Sequence, residues 1–168
     1  VFSQGFNPIP KISLGVALPV FVESECELFD IELHDDIDND SLKKFLNIVM
    51  PEGAEIKEVK KIETKSEAID HTIQWAEYEF IPIVNNSENL LFKNEKMLYI
   101  KDKVFSDNNL FIKKKNKKGI EKIINIKNSI KKPQNICGSR DRLFVILKTG
   151  QSEEIPSVRP DVFITCFC

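Results

Sequence analysis

The residues with the greatest potential for binding chemistry lie in the opening loop, which we define as residues 1–11. Its polar members are Ser3, Gln4, Asn7 and Lys11. Their side chains offer hydrogen-bond donors and acceptors to a phosphate, a carboxylate or the backbone of a neighbouring segment. Residues of these types also satisfy the backbone of their own turn. The residue types alone therefore leave both a binding role and a purely structural role open.

Local backbone preferences predict that the opening loop is rigid and leads into a strand. Gly5 permits backbone angles that are closed to other residues, and Pro8 and Pro10 fix φ at their own positions. Apolar residues then alternate with small or polar residues from 11 to 18, which is the period of a strand with one apolar face. Pro19 ends this strand or marks a sheet edge. The polar loop residues are thus expected together at one end of a strand.

A second group of candidate residues is basic and lies in the second half of the chain. Asn116 and Gly119 are turn formers between two extended runs, and they predict a β-hairpin with a lysine-rich tip. The predicted nucleic-acid-binding residues are Lys113, Lys114, Lys115, Lys117, Lys118, Arg140 and Arg142. Lysines that contact phosphates release counterions, and Phe111 beside the tip can stack on a base. A solvated hairpin without a ligand is the alternative.

Formal charge is unevenly distributed along the chain, although the net charge is only −2. Residues 1–100 contain 9 Lys or Arg and 19 Asp or Glu, a net charge of −10. Residues 101–142 contain 13 Lys or Arg and 4 Asp or Glu, a net charge of +9. Residues 143–168 contain 2 Lys or Arg and 3 Asp or Glu. This division predicts an anionic partner for the basic segment, or two complementary faces that meet each other.

We identify no catalytic residue and no metal site in the sequence. His71 has no His, Cys or carboxylate at i+4, and His34 and His71 lie in unremarkable surroundings. The acidic run 34–40 lacks the glycine and terminal glutamate of an EF-hand. Cys166 and Cys168 are close, but two thiolates do not fill a tetrahedral site. The four cysteines are too scattered to predict a disulfide framework.

The pattern of the chain predicts an α+β fold with a mainly antiparallel sheet and helices on one face. A length of 168 residues suits an acidic lobe at 1–84 and a second α+β lobe at 85–168 with the basic hairpin, or one continuous domain. No apolar run approaches the roughly 20 residues of a membrane helix, so we predict a cytoplasmic protein without membrane contact. Val1 in place of Met, and an apolar final segment, suggest truncation at both ends.

Periodicity and turn residues predict individual elements. Strands are expected at 11–18, 27–33, 76–84, 97–100, 110–112 and 143–147. Helices are expected at 42–50, at 66–75 and from 87 to about 94. We expect the first strands to cover the apolar stripe of the helix at 42–50. Residues 54–62 suit either an edge strand or a helix, and residues 162–167 suit either a strand or a helix.

The opening loop and the residues after it resemble a known bacterial family. The string Ser3-Gln4-Gly5-Phe6-Asn7-Pro8-Ile9-Pro10-Lys11-Ile12-Ser13 is followed by Ala17-Leu18-Pro19-Val20, Val22-Glu23-Ser24-Glu25 and Asp30-Ile31-Glu32-Leu33. This order resembles the radical-SAM-linked domain of unknown function in bacteria. Lys117-Lys118-Gly119, Ile124-Asn125-Ile126 and Arg159-Pro160 fit the second half of that family more loosely. The family usually has His where this chain has Ile9, so we expect no proton transfer or metal binding at that position.

The resemblance implies an accessory domain, fused to or encoded beside a radical SAM protein, in RNA or ribosome maturation. The partner would carry the iron–sulfur cluster and S-adenosylmethionine, and this chain would carry no cofactor. The motif residues implied to bind are Ser3, Gln4, Gly5, Phe6, Asn7, Pro8, Pro10 and Lys11. Family members begin with an additional strand and helix, which would complete a ferredoxin-like first lobe.

Two alternative functions stay open from the sequence. One is an RNA-modifying or RNA-cleaving enzyme on a ferredoxin-like scaffold, which would need a general acid and a general base. The other is a protein–protein interaction module in which the acidic half meets a basic partner and no nucleic acid takes part.

Overall fold

The computed structural model describes residues 1–4, 6–63, 66–82, 90–115, 119, 121–134, 141–150, 152 and 154–167. Helices and small antiparallel sheets alternate along this chain, which confirms the predicted α+β class. The strands are β1 (Ile12–Leu14), β2 (Phe29–Ile31), β3 (Trp75–Phe80), β4 (Phe111–Lys115), β5 (Glu121–Asn125), β6 (Ile130–Lys131) and β7 (Leu143–Lys148). The helices are α1 (Asn39–Val49), α2 (Ile69–Thr72), α3 (Leu90–Ser106) and α4 (Pro160–Ile164).

The strands form three sheets among the described residues. β1 pairs with β2, β4 pairs with β5, and β7 lies between β3 and β6, with every pair antiparallel. The register of the largest sheet places Trp75 opposite Lys148 and Phe80 opposite Leu143. This sheet therefore combines residues from both sides of position 84, and the division into two lobes at that position stays a prediction.

The hydrophobic core lies around β7 and is built almost entirely from residues after position 96. Alternate residues of β7 are fully buried because both edges of the strand are paired and one face packs against α3 and α4. The fully buried apolar side chains are Val104, Ile126, Leu143, Val145, Leu147, Val158 and Phe163. Phe163 packs against Phe80 with ring centroids 5.3 Å apart. The apolar run from 143 to 147 is thus the buried strand that its composition predicts.

Helix α1 begins and ends close to the predicted positions, but its apolar stripe is only partly covered. The Asp38 carboxylate accepts a hydrogen bond of 3.0 Å from the Ser41 N–H, which caps the helix. The Ser41 side chain and then the Ser41 N–H lower the pKa of Asp38 by hydrogen bonding to its carboxylate. Phe45 is 61% exposed and Val49 is 75% exposed. The prediction that the first strands cover this stripe is wrong, because β1 and β2 have only three residues each.

Side chains of α1 instead hold the segment 54–62, which is neither the predicted strand nor a helix. The Asn47 amide accepts a hydrogen bond of 2.7 Å from the Ile56 N–H and donates one of 3.1 Å to the Ile56 carbonyl. Lys43 Nζ donates to the Lys57 carbonyl at 2.7 Å. These hydrogen bonds satisfy backbone groups of Ile56 and Lys57 that a neighbouring strand would otherwise pair with.

Several elements differ from the sequence predictions, including the strands predicted at 11–18 and 27–33, which are three residues long. Helix α3 continues to Ser106, so the strand predicted at 97–100 is wrong. Met97, Ile100 and Val104 follow helical spacing and are all buried, and this burial outweighs the local strand-like pattern. Helix α2 is shorter than predicted because Trp75 already belongs to β3. The final apolar segment is helical, with Pro160 in the first turn of α4.

No helix in the described part of the chain is both long and apolar enough to cross a bilayer.

Candidate functional site

The opening loop is a small hairpin whose two ends are joined through the backbone. The Ser3 N–H donates to the Ile9 carbonyl at 2.8 Å, and the Lys11 N–H donates to the Val1 carbonyl at 2.9 Å. Phe2 lies opposite Pro10 as an isolated antiparallel bridge. The base of the loop is therefore held in place by backbone hydrogen bonds and this bridge.

The predicted binding residues of the loop divide into structural and exposed members. The Ser3 hydroxyl accepts a hydrogen bond of 3.1 Å from the Ile9 N–H, so this side chain stabilises the loop itself. Gln4, Phe6, Asn7 and Pro8 are exposed at the tip. Among the described residues, Gln4 and Asn7 have no side-chain hydrogen bond. Pro10 is also exposed, at the base of the loop. Gly5 lies outside the described residues.

Lys11, the only charged residue predicted for this site, is engaged within the fold. Its Nζ lies 2.8 Å from Glu32 Oε2, and the Glu32 N–H donates to the Lys11 carbonyl at 3.3 Å. The hydrogen bond from Lys11 is the main cause of the lowered pKa of the Glu32 carboxyl. The described tip of the loop consequently presents neutral amides, an aromatic ring and a proline, without a free positive charge.

A cleft of about 490 Å³ lies next to the loop, and the sequence did not predict it. Residues 14–20, which follow β1, form its apolar wall. The opposite walls are formed by Asp70, His71, Gln74, Tyr78, Thr149, Gly150, Ser157, Val158, Arg159 and Pro160. The cleft thus brings the end of the opening motif to Arg159 and Pro160, which are distant in sequence but fit the same family resemblance.

Two glycines allow the walls of the cleft to approach each other. A Cβ on Gly15 would lie 2.4 Å from Ile73 Cδ1, and a Cβ on Gly150 would lie 2.7 Å from the Ile73 carbonyl oxygen. Contacts this short do not occur between non-bonded atoms. The Ile73 side chain can move away from a Cβ at Gly15, but the Ile73 backbone cannot do so easily at Gly150. A side chain at Gly150 would therefore push the wall away from the segment that joins α2 to β3.

The polar groups of the cleft are arranged for hydrogen bonding. The Arg159 guanidinium donates to both Asp161 carboxylate oxygens, at 3.0 and 2.8 Å. The Thr149 hydroxyl is buried without a hydrogen-bond partner among the described residues. Burial raises the pKa of the Tyr78 hydroxyl, and the charge of Glu27 adds to this effect. No group of three His, Cys, Asp or Glu residues arranged to hold a metal ion occurs in the part of the chain that the structure describes.

The predicted basic hairpin is confirmed as the antiparallel pair β4–β5. Its register places Lys113 opposite Ile123 and Lys114 opposite Lys122. Lys113 and Lys114 are exposed, as predicted for residues that contact nucleic acid. The side chain of Lys115, together with Lys117, Lys118 and Arg140, lies outside the described residues.

The structure does not bring Arg142 to the hairpin lysines. It precedes β7, and its Nη1 donates to Glu79 Oε1 at 2.6 Å. This ion pair raises the pKa of Arg142. Another lysine of the basic segment is also engaged within the fold: Lys131 Nζ lies 3.5 Å from the centre of the Trp75 ring. Among the described residues of β4 and β5, Lys113, Lys114 and Lys122 are exposed.

Comparison with known proteins gives one match. A family model described as "Uncharacterized protein conserved in bacteria (DUF2344)" matches residues 1–160. No curated protein and no solved structure matches the chain.

Proposed function

The chain belongs to the DUF2344 family of uncharacterized proteins conserved in bacteria, and on this premise we propose that it is a non-catalytic recognition domain. In this proposal it works with a radical SAM protein, fused to it or encoded beside it, in RNA or ribosome maturation. The partner supplies the iron–sulfur cluster and S-adenosylmethionine, and this domain supplies binding surfaces. The proposal includes a cytoplasmic location.

The observation that carries this proposal is the construction of the opening loop. Its base is fixed by backbone hydrogen bonds and by the ion pair of Lys11 with Glu32, whereas Gln4, Phe6 and Asn7 at its tip are exposed. Binding residues are commonly carried on loops that a rigid scaffold positions. An exposed aromatic ring beside neutral amides is typical of a protein–protein contact, where charged residues are depleted at the centre. We therefore assign the loop tip to the radical SAM partner.

The basic segment is the reason for including RNA in the proposal. Residues 101–142 have a net charge of +9, and Lys113 and Lys114 are exposed on β4. A concentrated positive surface attracts the phosphate backbone and makes the affinity dependent on salt. The opening loop and the hairpin would then engage the partner protein and the RNA, respectively.

The affinity of the full chain for the adjacent radical SAM protein tests the role of the loop. We expect the double variant Phe6→Ala, Asn7→Ala to bind at least about 10-fold more weakly, since truncated central interface residues commonly cost more than 1 kcal/mol. Phe21→Ala is the matched control, because Phe21 is also fully exposed and lies outside the loop. A complex that forms equally well with both variants, or no complex with the wild type, would contradict the proposal.

A further inference from the structure

The outer face of the β4–β5 hairpin carries an exposed apolar patch beside Lys113. Residues directly opposite each other in an antiparallel pair share a face, so Phe111, Lys113 and Ile123 lie together on one side. Phe111 is 57% exposed and Ile123 is 66% exposed. Ile112, whose side chain points to the other face, is buried in the core and anchors the hairpin. The aromatic ring is therefore held at the surface by a fixed strand.

Three described lysines of this hairpin lack the counter-charges that other cations of the fold have. Lys11, Lys61 and Arg142 lie within 2.8 Å of a carboxylate oxygen. By contrast, Lys113, Lys114 and Lys122 form no ion pair with any described residue. Lys114 and Lys122 are also register partners, and like charges directly opposite each other repel. This pair lies on the face opposite Phe111, where it adds to the positive charge of the hairpin.

We propose that the outer face of β4–β5 binds single-stranded RNA, with one unpaired base stacked on Phe111. Ile123 packs beside that base, and Lys113 contacts a phosphate next to it. Lys114 and Lys122 lie on the same face as Ile112 and take no part in this site. This inference rests on the proposed function, because it specifies which form of RNA the recognition domain takes.

The geometry favours unpaired RNA over a duplex. A surface aromatic ring offers stacking only to a base whose face is free, and paired bases have both faces covered by their neighbours. In a duplex, Phe111 and Ile123 would instead face ribose and phosphate groups, which would leave apolar surface against polar groups. Any base can stack on an aromatic ring. We therefore expect the site to prefer single-stranded over duplex RNA more strongly than it prefers one base sequence over another.

Fluorescence anisotropy with the full chain and a labelled single-stranded RNA of about 12 nucleotides tests this site. The same RNA annealed to its complement is the second probe. We expect tighter binding of the single strand, an affinity loss of about 5- to 100-fold for Phe111→Leu, and near wild-type affinity for Phe111→Tyr, which keeps the ring. Phe45→Leu is the control, since Phe45 is equally exposed but lies on α1.

The salt dependence separates stacking from phosphate contacts. Lys113→Gln should reduce the slope of log affinity against log salt by about 0.7, whereas Phe111→Leu should leave that slope unchanged. Equal binding of duplex and single strand, or equal effects of Phe111→Leu and Phe45→Leu, would overturn this inference and leave the proposed partner binding intact. Absence of any salt-sensitive RNA binding would overturn both the inference and the RNA part of the proposed function.

Discussion

Lys11 and Glu32 form an ion pair of 2.8 Å that ties the base of the opening loop to the residue after β2. The pair is half-exposed, so we expect a modest contribution that weakens with salt. The ion pair matters mainly because it fixes the position of the loop. It also engages Lys11, which is the only charged residue among those predicted to bind. The tip is left neutral, and this is the basis for assigning it to a protein partner.

The first prediction concerns pH. The pKa of Glu32 is lowered from its ordinary value of 4.5, so the stabilisation from this pair is fully present above that value. It should be lost as the pH falls through the lower pKa of the folded state. Amide hydrogen exchange at Ser3 and Lys11 should accelerate in that range, relative to amides in the core. Glu32→Gln should abolish this pH dependence, and an unchanged profile in that variant would exclude the ion pair as its cause.

The second prediction concerns Asn47, which holds the segment 54–62 against α1. Asn47→Ala removes both hydrogen bonds to Ile56 and leaves its partly buried backbone groups without partners. We expect a loss of about 1–3 kcal/mol in the free energy of unfolding, measured by urea denaturation. Lys44→Ala, one turn earlier on the exposed side of the same helix, should change it by less than about 0.5 kcal/mol. Equal effects of the two variants would show that these bonds do not stabilise the fold.

The third prediction compares Gly150, where neighbouring atoms leave no room for a side chain, with Gly53, where the backbone angle favours glycine. Gly150→Ala would place a Cβ against the backbone carbonyl of Ile73, whereas Gly53 has a φ of +86° with no atom close to its Cβ position. We expect Gly53→Ala to cost about 1–2 kcal/mol from backbone strain alone. Gly150→Ala should cost more and should also open the cleft. A smaller loss at Gly150, measured by thermal unfolding of both variants, would contradict the close approach of its walls.

The fourth prediction tests where the core lies. Phe163→Ala should destabilise the protein by about 3–5 kcal/mol, because this ring is fully buried between Phe80 and Phe167. Phe45→Ala removes a ring of the same size from the exposed stripe of α1 and should cost far less. Urea denaturation of the two variants gives the comparison. A comparable loss for both would mean that the α1 stripe is covered in solution.

The elements that the sequence predicted well are those with a strong local pattern. Helix α1 has helical periodicity and an Asp at its N-terminus, and the β4–β5 hairpin has turn residues between two extended runs. The buried strand β7 has an uninterrupted apolar run. In each case the local preference and the tertiary environment agree, so a short window of sequence is sufficient.

The predictions failed where burial outweighed the local pattern. The apolar run 97–100 resembles a strand, but Ile100 and Val104 bury one face of a helix that continues to Ser106. The apolar stripe of α1 predicts burial, yet the two strands before it are too short to cover it. A periodic pattern indicates which side of an element is apolar and does not indicate whether another element reaches that side.

The site residues depend on contacts that no local pattern contains. The partners of Lys11 and Arg142 are 21 and 63 residues away in sequence, so their engagement within the fold could not be predicted. The cleft is assembled from segments near both ends of the chain and from the middle. Side-chain type and spacing predicted the exposed tip of the loop and the lysines of the hairpin, because both depend only on a turn and its exposure.

The central claim is that the domain recognises a substrate for a radical SAM partner and performs no chemistry itself. Its most direct test is the turnover of S-adenosylmethionine by the partner, measured against increasing bacterial RNA with the wild-type domain and with the Phe111→Leu variant. We predict that this variant raises the KM for RNA and leaves kcat unchanged, since it removes binding and not chemistry. Unchanged kinetics in the absence of the domain, or turnover of RNA by the domain alone, would contradict the claim.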